Sequence, residues 1–89
     1  MFIFGGYVKG SKSNDLWKFD LNSMSWTCLD QGDKIETITS PNKPCQRIGS
    51  AMLCFNNAIY LFGGHDAFNE KLNDLWKFDL VSNQWAKID

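Results

Sequence analysis

The sequence has few of the residues on which metal and redox chemistry depend. Its 89 residues include three cysteines, Cys28, Cys45 and Cys54, and one histidine, His65. The cysteines show no Cys-x-x-Cys spacing, whereas a structural zinc site needs four well-placed ligands. An odd number of unclustered cysteines instead favours free thiols in a reducing compartment. We therefore expect no metal and no cofactor.

The chain also lacks an excess of charge and any long apolar run. Nine basic and ten acidic residues are scattered along it, for a net charge of -1, which offers no basic patch to nucleic acid or anionic lipid. No apolar run reaches the roughly 20 residues of a membrane-spanning helix. The segment Met1 to Gly6 has neither the basic region nor the apolar length of a signal peptide. We expect no nucleic-acid or membrane partner and a cytoplasmic location, with a nuclear one left open.

An internal repeat dominates what is present. The octet Asn-Asp-Leu-Trp-Lys-Phe-Asp-Leu occurs twice, each time after a Phe-Gly-Gly triplet and before a further tryptophan. The octets occupy residues 14–21 and 73–80, the triplets residues 4–6 and 62–64, and the tryptophans are Trp26 and Trp85. Repeats of this length are typical of units that bury their faces against neighbouring units.

The apolar pattern of each unit predicts strands. Continuous apolar runs at residues 1–4, 49–55 and 58–62 are typical of strands buried on both faces. The pair Asn56-Asn57 predicts a tight hairpin turn with positive φ. The octets alternate with a period of two, which predicts a third strand that is less buried on one face.

A polar turn and a fourth strand complete the unit. Asp20 and Asp79 each open a turn in which the carboxylate accepts bonds from backbone N–H groups. Residues 26–29 and 85–88 then form the last strand. Four antiparallel strands per unit, stacked face to face, describe a propeller blade, so the predicted class is all-β.

The repeat resembles the kelch family. The residues that carry the resemblance are Arg47-x-Gly49, the apolar run into Gly63-Gly64, Asn73-Asp74-Leu75-Trp76, Phe78-Asp79 and Trp85. It covers residues 1–30 and 44–89. The family more often has tyrosine in place of Phe19 and Phe78, and often histidine in place of Ser50. The resemblance implies a partial kelch-type β-propeller, with an incomplete first blade at residues 1–30 (strands 2 to 4), a loop at 31–46 and a complete blade at 47–89.

Residues at repeat-matched positions are predicted to be structural. The paired glycines end strands that need unusual φ/ψ and room for a neighbouring aromatic ring, and no phosphate-binding motif follows them. The tryptophans are expected to anchor contact between blades. By resemblance, Arg47 pairs with carbonyls or a carboxylate between blades. The predicted structural set is Gly5, Gly6, Trp17, Phe19, Trp26, Arg47, Gly49, Gly63, Gly64, Trp76, Phe78 and Trp85.

The sequence offers no set of catalytic residues. His65 stands alone, without a nucleophile nearby in sequence. Some metal-dependent kelch enzymes carry Glu-x-x-x-Asp-x-x-x-His, but here Glu70 and Asp74 are followed by Phe78 at the third place. Copper oxidases of the kelch type need more histidine than this chain has. We expect no enzyme. The alternative is a piece of a propeller enzyme whose catalytic residues lie in other blades.

Strand direction predicts where a partner binds. The segments 7–13, 30–43 and 65–72 each follow an even number of strands and therefore share one side of the blades, and recognition usually resides on such loops. The candidate partner-binding residues are Tyr7, Ile35, Ile38, His65 and Phe68. The predicted function is a protein interaction module, a scaffold fragment. A homo-oligomer that completes a propeller is the structural alternative. We expect the isolated chain to be marginally stable, because both end blades leave apolar faces open that a ring would cover.

Overall fold

The computed structural model describes residues 1–8, 10–32 and 42–88, which form eight strands and no helix. The strands are β1 (Phe2–Val8), β2 (Ser11–Asp20), β3 (Ser25–Asp30), β4 (Arg47–Ile48), β5 (Ala51–Phe55), β6 (Ala58–Asp66), β7 (Lys71–Asp79) and β8 (Gln84–Ile88). All pairings of these strands are antiparallel. The predicted all-β class is confirmed.

The strands form two sheets that correspond to the two sequence repeats. The first sheet has the order β1-β2-β3. The second has the order β4-β6-β7-β8, and β5 also pairs with β6. The predicted strand 49–55 therefore begins earlier, at Arg47, and is interrupted around Gly49, whose φ of 75° lies in the left-handed region. The second sheet is therefore a four-stranded meander whose first strand is divided into β4 and β5.

The paired glycines do not end their strands as predicted. β1 continues through Gly5-Gly6 to Val8, and β6 continues through Gly63-Gly64 to Asp66. The register shifts at each pair, as in a β-bulge, and pairing then resumes. Gly63 has a φ of 71° and Gly64 one of 99°, so the unusual backbone was predicted correctly. The glycines therefore bend these strands and do not end them.

The predicted turns are confirmed at the other end of the sheets. The hairpin pair Asn56-Asn57 has φ values of 50° and 60°. The Oδ1 atom of Asp20 accepts the N–H of Asn22 at 2.8 Å, and Asp79 accepts that of Val81 at 2.8 Å. The backbone hydrogen bonds from Asn22 and Ser23 lower the pKa of the Asp20 carboxyl. Short polar side chains thus close both turns locally.

The core lies between the two sheets. Phe78 in the second sheet and Leu16 in the first are fully buried there. Trp85 reaches across, with its ring centroid 5.0 Å from that of Phe78 and 5.5 Å from that of Phe4 in an edge-to-face arrangement. Its Nε1 also donates to Asp30 Oδ2 of the first sheet at 3.0 Å. One indole therefore joins the sheets by both its apolar ring and its single donor.

Repeat-equivalent residues differ in exposure because each sheet covers only one face of the other. Leu61 is 1% exposed, whereas its equivalent Ile3 is 43% exposed. Trp85 is half-buried, whereas Trp26 is 49% exposed. We call the open side of the first sheet the upstream face; it consists of Ile3, Trp17, Phe19 and Trp26. The downstream face is the open side of the second sheet and consists of Leu53, Tyr60, Phe62 and Leu75.

Arg47 fastens the first strand of the second sheet. Its buried guanidinium donates two bonds to the carboxylate of Asp74, at 2.7 and 2.9 Å, and one to the carbonyl of Gly63 at 3.1 Å. Its Nε donates to the carbonyl of Cys45 at 3.1 Å. Carbonyls and a carboxylate are the predicted acceptors, but they belong to the second sheet and the segment before it. The prediction that Arg47 is paired between blades is wrong.

Asp74 holds two donors at once. The Nε1 of Trp76 donates to its Oδ2 at 2.9 Å, beside the bonds from Arg47. Burial by itself raises the pKa of the Asp74 carboxyl, but the hydrogen bonds from Arg47 and Trp76 outweigh it, so that the pKa lies below 3.8. The ionised form is therefore the one that the fold stabilises.

Replacing Trp85 by alanine is expected to destabilise the fold far more than the same change at Trp26. Trp85→Ala removes the ring that joins the sheets and should lower the free energy of unfolding by about 3 kcal/mol or more. Trp26→Ala removes a half-exposed ring of the upstream face and should cost at least about 1 kcal/mol less. Urea unfolding followed by circular dichroism measures both. Equal losses would contradict the proposed packing.

The stability of the fold is expected to fall in acid through Asp74. Since its pKa is lowered on folding, its contribution is complete only well above the ordinary carboxyl pKa of 3.8 and is lost as the pH falls through the lower folded-state value. Asp74→Asn should reduce stability at neutral pH and flatten the decline between pH 5 and 2, roughly the range over which a lowered carboxyl titrates. Urea unfolding at stepped pH measures this. The control is Asp15→Asn, the repeat equivalent without an arginine, which should keep the decline.

Candidate interaction surface

Two of the predicted loops meet at one end of the sheets. The Nζ of Lys12, near the start of β2, donates to the carbonyl of Asp66 at 2.6 Å and to Asn69 Oδ1 at 2.7 Å. The β1–β2 and β6–β7 connections are therefore adjacent. Because β1 and β6 run on past their glycines, both connections are shorter than the predicted 7–13 and 65–72.

The described parts of the third loop lie at the same end. Asn14, two residues after Lys12, donates from Nδ2 to the carbonyl of Pro44 at 3.1 Å. Lys43 Nζ donates to the carbonyl of Gln31 at 2.7 Å and lies 3.5 Å from Asp30 Oδ2. These bonds hold the two ends of the segment together. Ile35 and Ile38, predicted as contact residues within it, lie outside the described residues.

Lys12 organises this end, and sequence analysis missed it. The residue is buried, and its ammonium lies 5.9 Å from the centroid of the Tyr7 ring, within the range of a cation–π contact. It therefore links Tyr7 of the first sheet to the turn of residues 66–69 in the second. The repeat does not indicate this burial, since the equivalent lysine of the second unit, Lys71, is exposed.

The turn between β6 and β7 presents Phe68 to solvent. The Oδ1 of the buried Asp66 accepts the N–H groups of Phe68 and Glu70, each at 2.9 Å. Asn69 adopts a φ of 62°, which asparagine tolerates well. The Phe68 side chain is 59% exposed on this ordered turn. The backbone bonds to Asp66 thus fix a turn on which the Phe68 ring is exposed to solvent.

The predicted site residues are only partly brought together. Tyr7 is exposed and is linked through Lys12 to the turn that carries Phe68. His65 is exposed on β6, where it pairs with Ile48 and Lys71. An added Cβ at Gly49 would lie 4.0 Å from its Nδ1, so its side chain faces the opening strand. We call Tyr7, Lys12, His65 and Phe68 the rim.

The acidic residues near the rim are engaged in structural bonds. His65 and Asp66 are successive strand residues, whose side chains point to opposite faces, so they do not form an acid–base pair. Asp74, which stands at the second place of the Glu-x-x-x-Asp-x-x-x-His pattern that this chain matches only in part, accepts hydrogen bonds from Arg47 and Trp76. Within residues 1–8, 10–32 and 42–88, no three His, Cys, Asp or Glu side chains are grouped to hold a metal ion.

The paired glycines accommodate backbone rather than an aromatic ring. A Cβ added at Gly5 would collide with the carbonyl oxygen of Arg47, and one at Gly63 would come within 3.2 Å of that of Leu72. The first of these contacts joins the two sheets. The prediction that these glycines leave room for a neighbouring group is therefore correct, but the group is a backbone carbonyl and not an aromatic ring.

The cysteines and the chain's polarity add little to the site. Cys28 is half-buried, Cys45 is buried and Cys54 is exposed, and all three are free thiols. Burial raises the pKa of the Cys28 thiol. In the part of the chain that the structure describes, no helix has the length and apolar character needed to span a membrane.

Comparison with known proteins identifies the repeat. The profile of the KLHDC2/KLHL20/DRC7 Kelch-repeats domain matches residues 1–89. The chain is 31% identical over 93 residues to Tip elongation aberrant protein 3 of Schizosaccharomyces pombe, covering 99% of this chain and 8% of that protein. It is 31% identical over 88 residues to human Leucine-zipper-like transcriptional regulator 1, covering 99% and 10%. Human Kelch domain-containing protein 3 is 26% identical over 143 residues, covering 100% and 37%.

The chain thus spans well under half the length of each of these curated relatives. The family profile nevertheless covers every residue, and the antiparallel sheets with their bulged glycines agree with it. The chain belongs to the kelch-repeat family.

Proposed function

We propose that this chain is part of a kelch propeller that acts as an intracellular, cytoplasmic scaffold and binds a protein partner through the rim. In this proposal residues 1–30 are strands 2 to 4 of one blade and residues 47–89 are a complete blade, with 31–46 between them. The observation that carries the proposal is the bonding of Lys12, which joins two connections into one surface beside two exposed aromatic rings.

The chemistry of the rim suits a protein partner. Tyrosine and phenylalanine offer large contact areas at low cost in side-chain entropy, and aromatic residues are enriched at the centres of interfaces. Tyr7 and Phe68 are exposed while the backbone that carries them is fixed by strand pairing and by Asp66. The same proposal includes Ile35 and Ile38, since their segment starts and ends at this end of the sheets.

The relatives support a module more than an enzyme. Proteins named for tip elongation and for transcriptional regulation share a similar segment, which makes up a tenth or less of their length. The described residues provide no metal-binding group, and Asp74 and Asp66 have structural bonds. No observation favours catalysis by this chain.

Phe68→Ala is expected to weaken partner binding by at least about tenfold if the rim is the contact surface, because an aromatic hot spot typically contributes about 2 kcal/mol or more. Phe55→Ala is the matched control: Phe55 is 60% exposed, almost the same as Phe68, but lies beside the Asn56-Asn57 turn at the other end. Both changes are made in the intact parent protein, and binding of its copurifying partner is measured by calorimetry or surface plasmon resonance.

Equal affinity of the two variants for that partner would contradict the assignment of the rim. A larger loss with Phe55→Ala would move the contact to the opposite end. Tyr7→Ala provides a second readout, since its ring is exposed in β1 and is not part of the core. It should also weaken binding, with only the small change in the unfolding transition that loss of the contact with the Lys12 ammonium causes.

A second candidate function is self-association, and the two open faces favour it. The upstream face repeats the residue types that the second sheet buries: Trp17, Phe19 and Trp26 are equivalent to Trp76, Phe78 and Trp85. The downstream face repeats those that the first sheet buries, since Phe62 and Leu75 are equivalent to Phe4 and Leu16. A second copy placed head to tail would therefore repeat the existing contact between sheets.

Complementation between two blocked variants tests this candidate. Ile3→Asp places a charge on the upstream face and Phe62→Asp places one on the downstream face. Each variant alone should remain a monomer, because one of its two faces is lost. An equimolar mixture should form a one-to-one dimer and nothing larger, since only one intact pair of faces remains. Sedimentation velocity measures the species. A mixture that behaves like the separate variants would contradict head-to-tail pairing.

A further inference from the structure

Lys12 carries a buried positive charge that has no carboxylate at ion-pair distance among the described residues. The residue is only 6% exposed. The ion pairs that the described residues form join Arg47 to Asp74 and Lys43 to Asp30, and Lys12 takes part in neither. A buried ammonium is costly unless it is paired, because it gives up its hydration. The packing of the two sheets therefore does not by itself account for a cation at this position.

The ammonium of Lys12 has one more donor than its neighbours use. A lysine ammonium has three N–H donors. The carbonyl oxygen of Asp66 accepts one at 2.6 Å and the Oδ1 of Asn69 accepts another at 2.7 Å, and both acceptors are uncharged. The ring centroid of Tyr7, at 5.9 Å, lies near the outer limit of a cation–π contact. Within the part of the chain that the structure describes, one N–H and the positive charge are thus left for a further acceptor.

The acidic side chains of the adjoining turn do not supply this acceptor. The Oδ1 of Asp66 accepts the backbone N–H groups of Phe68 and Glu70, each at 2.9 Å. It is the carbonyl of Asp66, and not its carboxylate, that reaches the ammonium. The side chain of Glu70 is exposed. The turn therefore offers Lys12 neutral oxygens, while its carboxylates hold the turn together or face water.

The ammonium nevertheless lies close to the exposed surface of the rim. The Tyr7 ring beside it belongs to a residue that is 62% exposed. Asn69, which accepts one of its N–H groups, adjoins Phe68 in the same turn. A partner group that packs against these two rings therefore comes within reach of the ammonium. A carboxylate would satisfy the third N–H and balance the charge in a single contact.

We propose that Lys12 is an anion-recognition subsite of the rim and that the partner presents a carboxylate beside an apolar side chain. The carboxylate accepts the third N–H of Lys12, and the apolar side chain packs on Tyr7 and Phe68. The contact selects a charged acceptor over a neutral one, because the cation is already desolvated. This inference rests on the proposed function of the rim and adds the chemistry of the partner.

Matched small peptides test the charge requirement on the intact parent protein. The probes are acetyl-Glu-Phe-amide, its neutral isostere acetyl-Gln-Phe-amide, and acetyl-Gln-Phe with a free terminal carboxylate. Titrations followed by saturation-transfer NMR measure the affinity of each. At least one carboxylate peptide should bind at least about tenfold more tightly than the neutral one, because charge-assisted hydrogen bonds are the stronger kind. The tighter of the two identifies a side-chain or a terminal carboxylate as the source.

The variant Lys12→Met assigns this preference to the ammonium. Methionine keeps much of the apolar stem and removes the charge, so all three peptides should bind the variant about equally. Lys18→Met is the matched control, since Lys18 is an exposed lysine near the other end of β2, and it should keep the preference. Circular dichroism of each variant verifies that it is folded, and the comparison of peptides on the unaltered protein does not depend on any variant.

The proposal is overturned if no peptide binds, if the neutral peptide binds the unaltered protein as tightly as both carboxylate peptides, or if the preference survives in folded Lys12→Met. The copurifying partner separates this inference from the proposed function. Weaker binding of that partner with both Phe68→Ala and Lys12→Met supports the subsite. Weaker binding with Phe68→Ala alone would leave the rim in place and overturn the subsite, and unchanged binding with both would overturn the two together.

Discussion

The structure depends on the packing of one sheet against the other through Trp85. The ring of this residue lies against Phe78 of its own sheet and Phe4 of the other, and its donor reaches Asp30. Neither sheet has enough apolar surface to form a core alone, so each supplies half of one. The consequence is visible in the exposures of equivalent residues, because identical sequence is buried on the covered side and open on the uncovered side. Burial here is a property of position in a stack more than of residue type.

Local features of the fold could be predicted from the sequence, since they depend on neighbouring residues. The positive φ of Asn56 and Asn57 and the backbone bonds of Asp20 follow from the short side chains involved. The strands of the octet follow from alternation. The extent of β1 and β6 did not follow, because whether a strand resumes after two glycines depends on the strand opposite.

The contacts of the site were less predictable for a related reason. Lys12 is buried only because the turn of residues 66–69 from the next unit lies over it, whereas its repeat equivalent Lys71 is exposed. Arg47 was singled out by its resemblance to a family residue, but its partner Asp74 lies within the same sheet. Long-range pairings of polar groups leave no periodic signal in the sequence. Tyr7 and Phe68 could be proposed because they are aromatic residues in segments where the two repeats differ, and both side chains are exposed.

The contacts of Asp30 fix both ends of the stretch that separates the two sheets in the sequence. This carboxylate accepts the indole N–H of Trp85 and lies 3.5 Å from the Lys43 ammonium, which also binds the carbonyl of Gln31. The two ends of the intervening stretch are therefore clamped to the framework and to each other. Lengthening a stretch with fixed ends costs little, because closure entropy grows only with the logarithm of its length. Changes of length or composition between these fixed ends are therefore expected to leave the bond from Trp85 to Asp30 and the edge-to-face aromatic contacts in place.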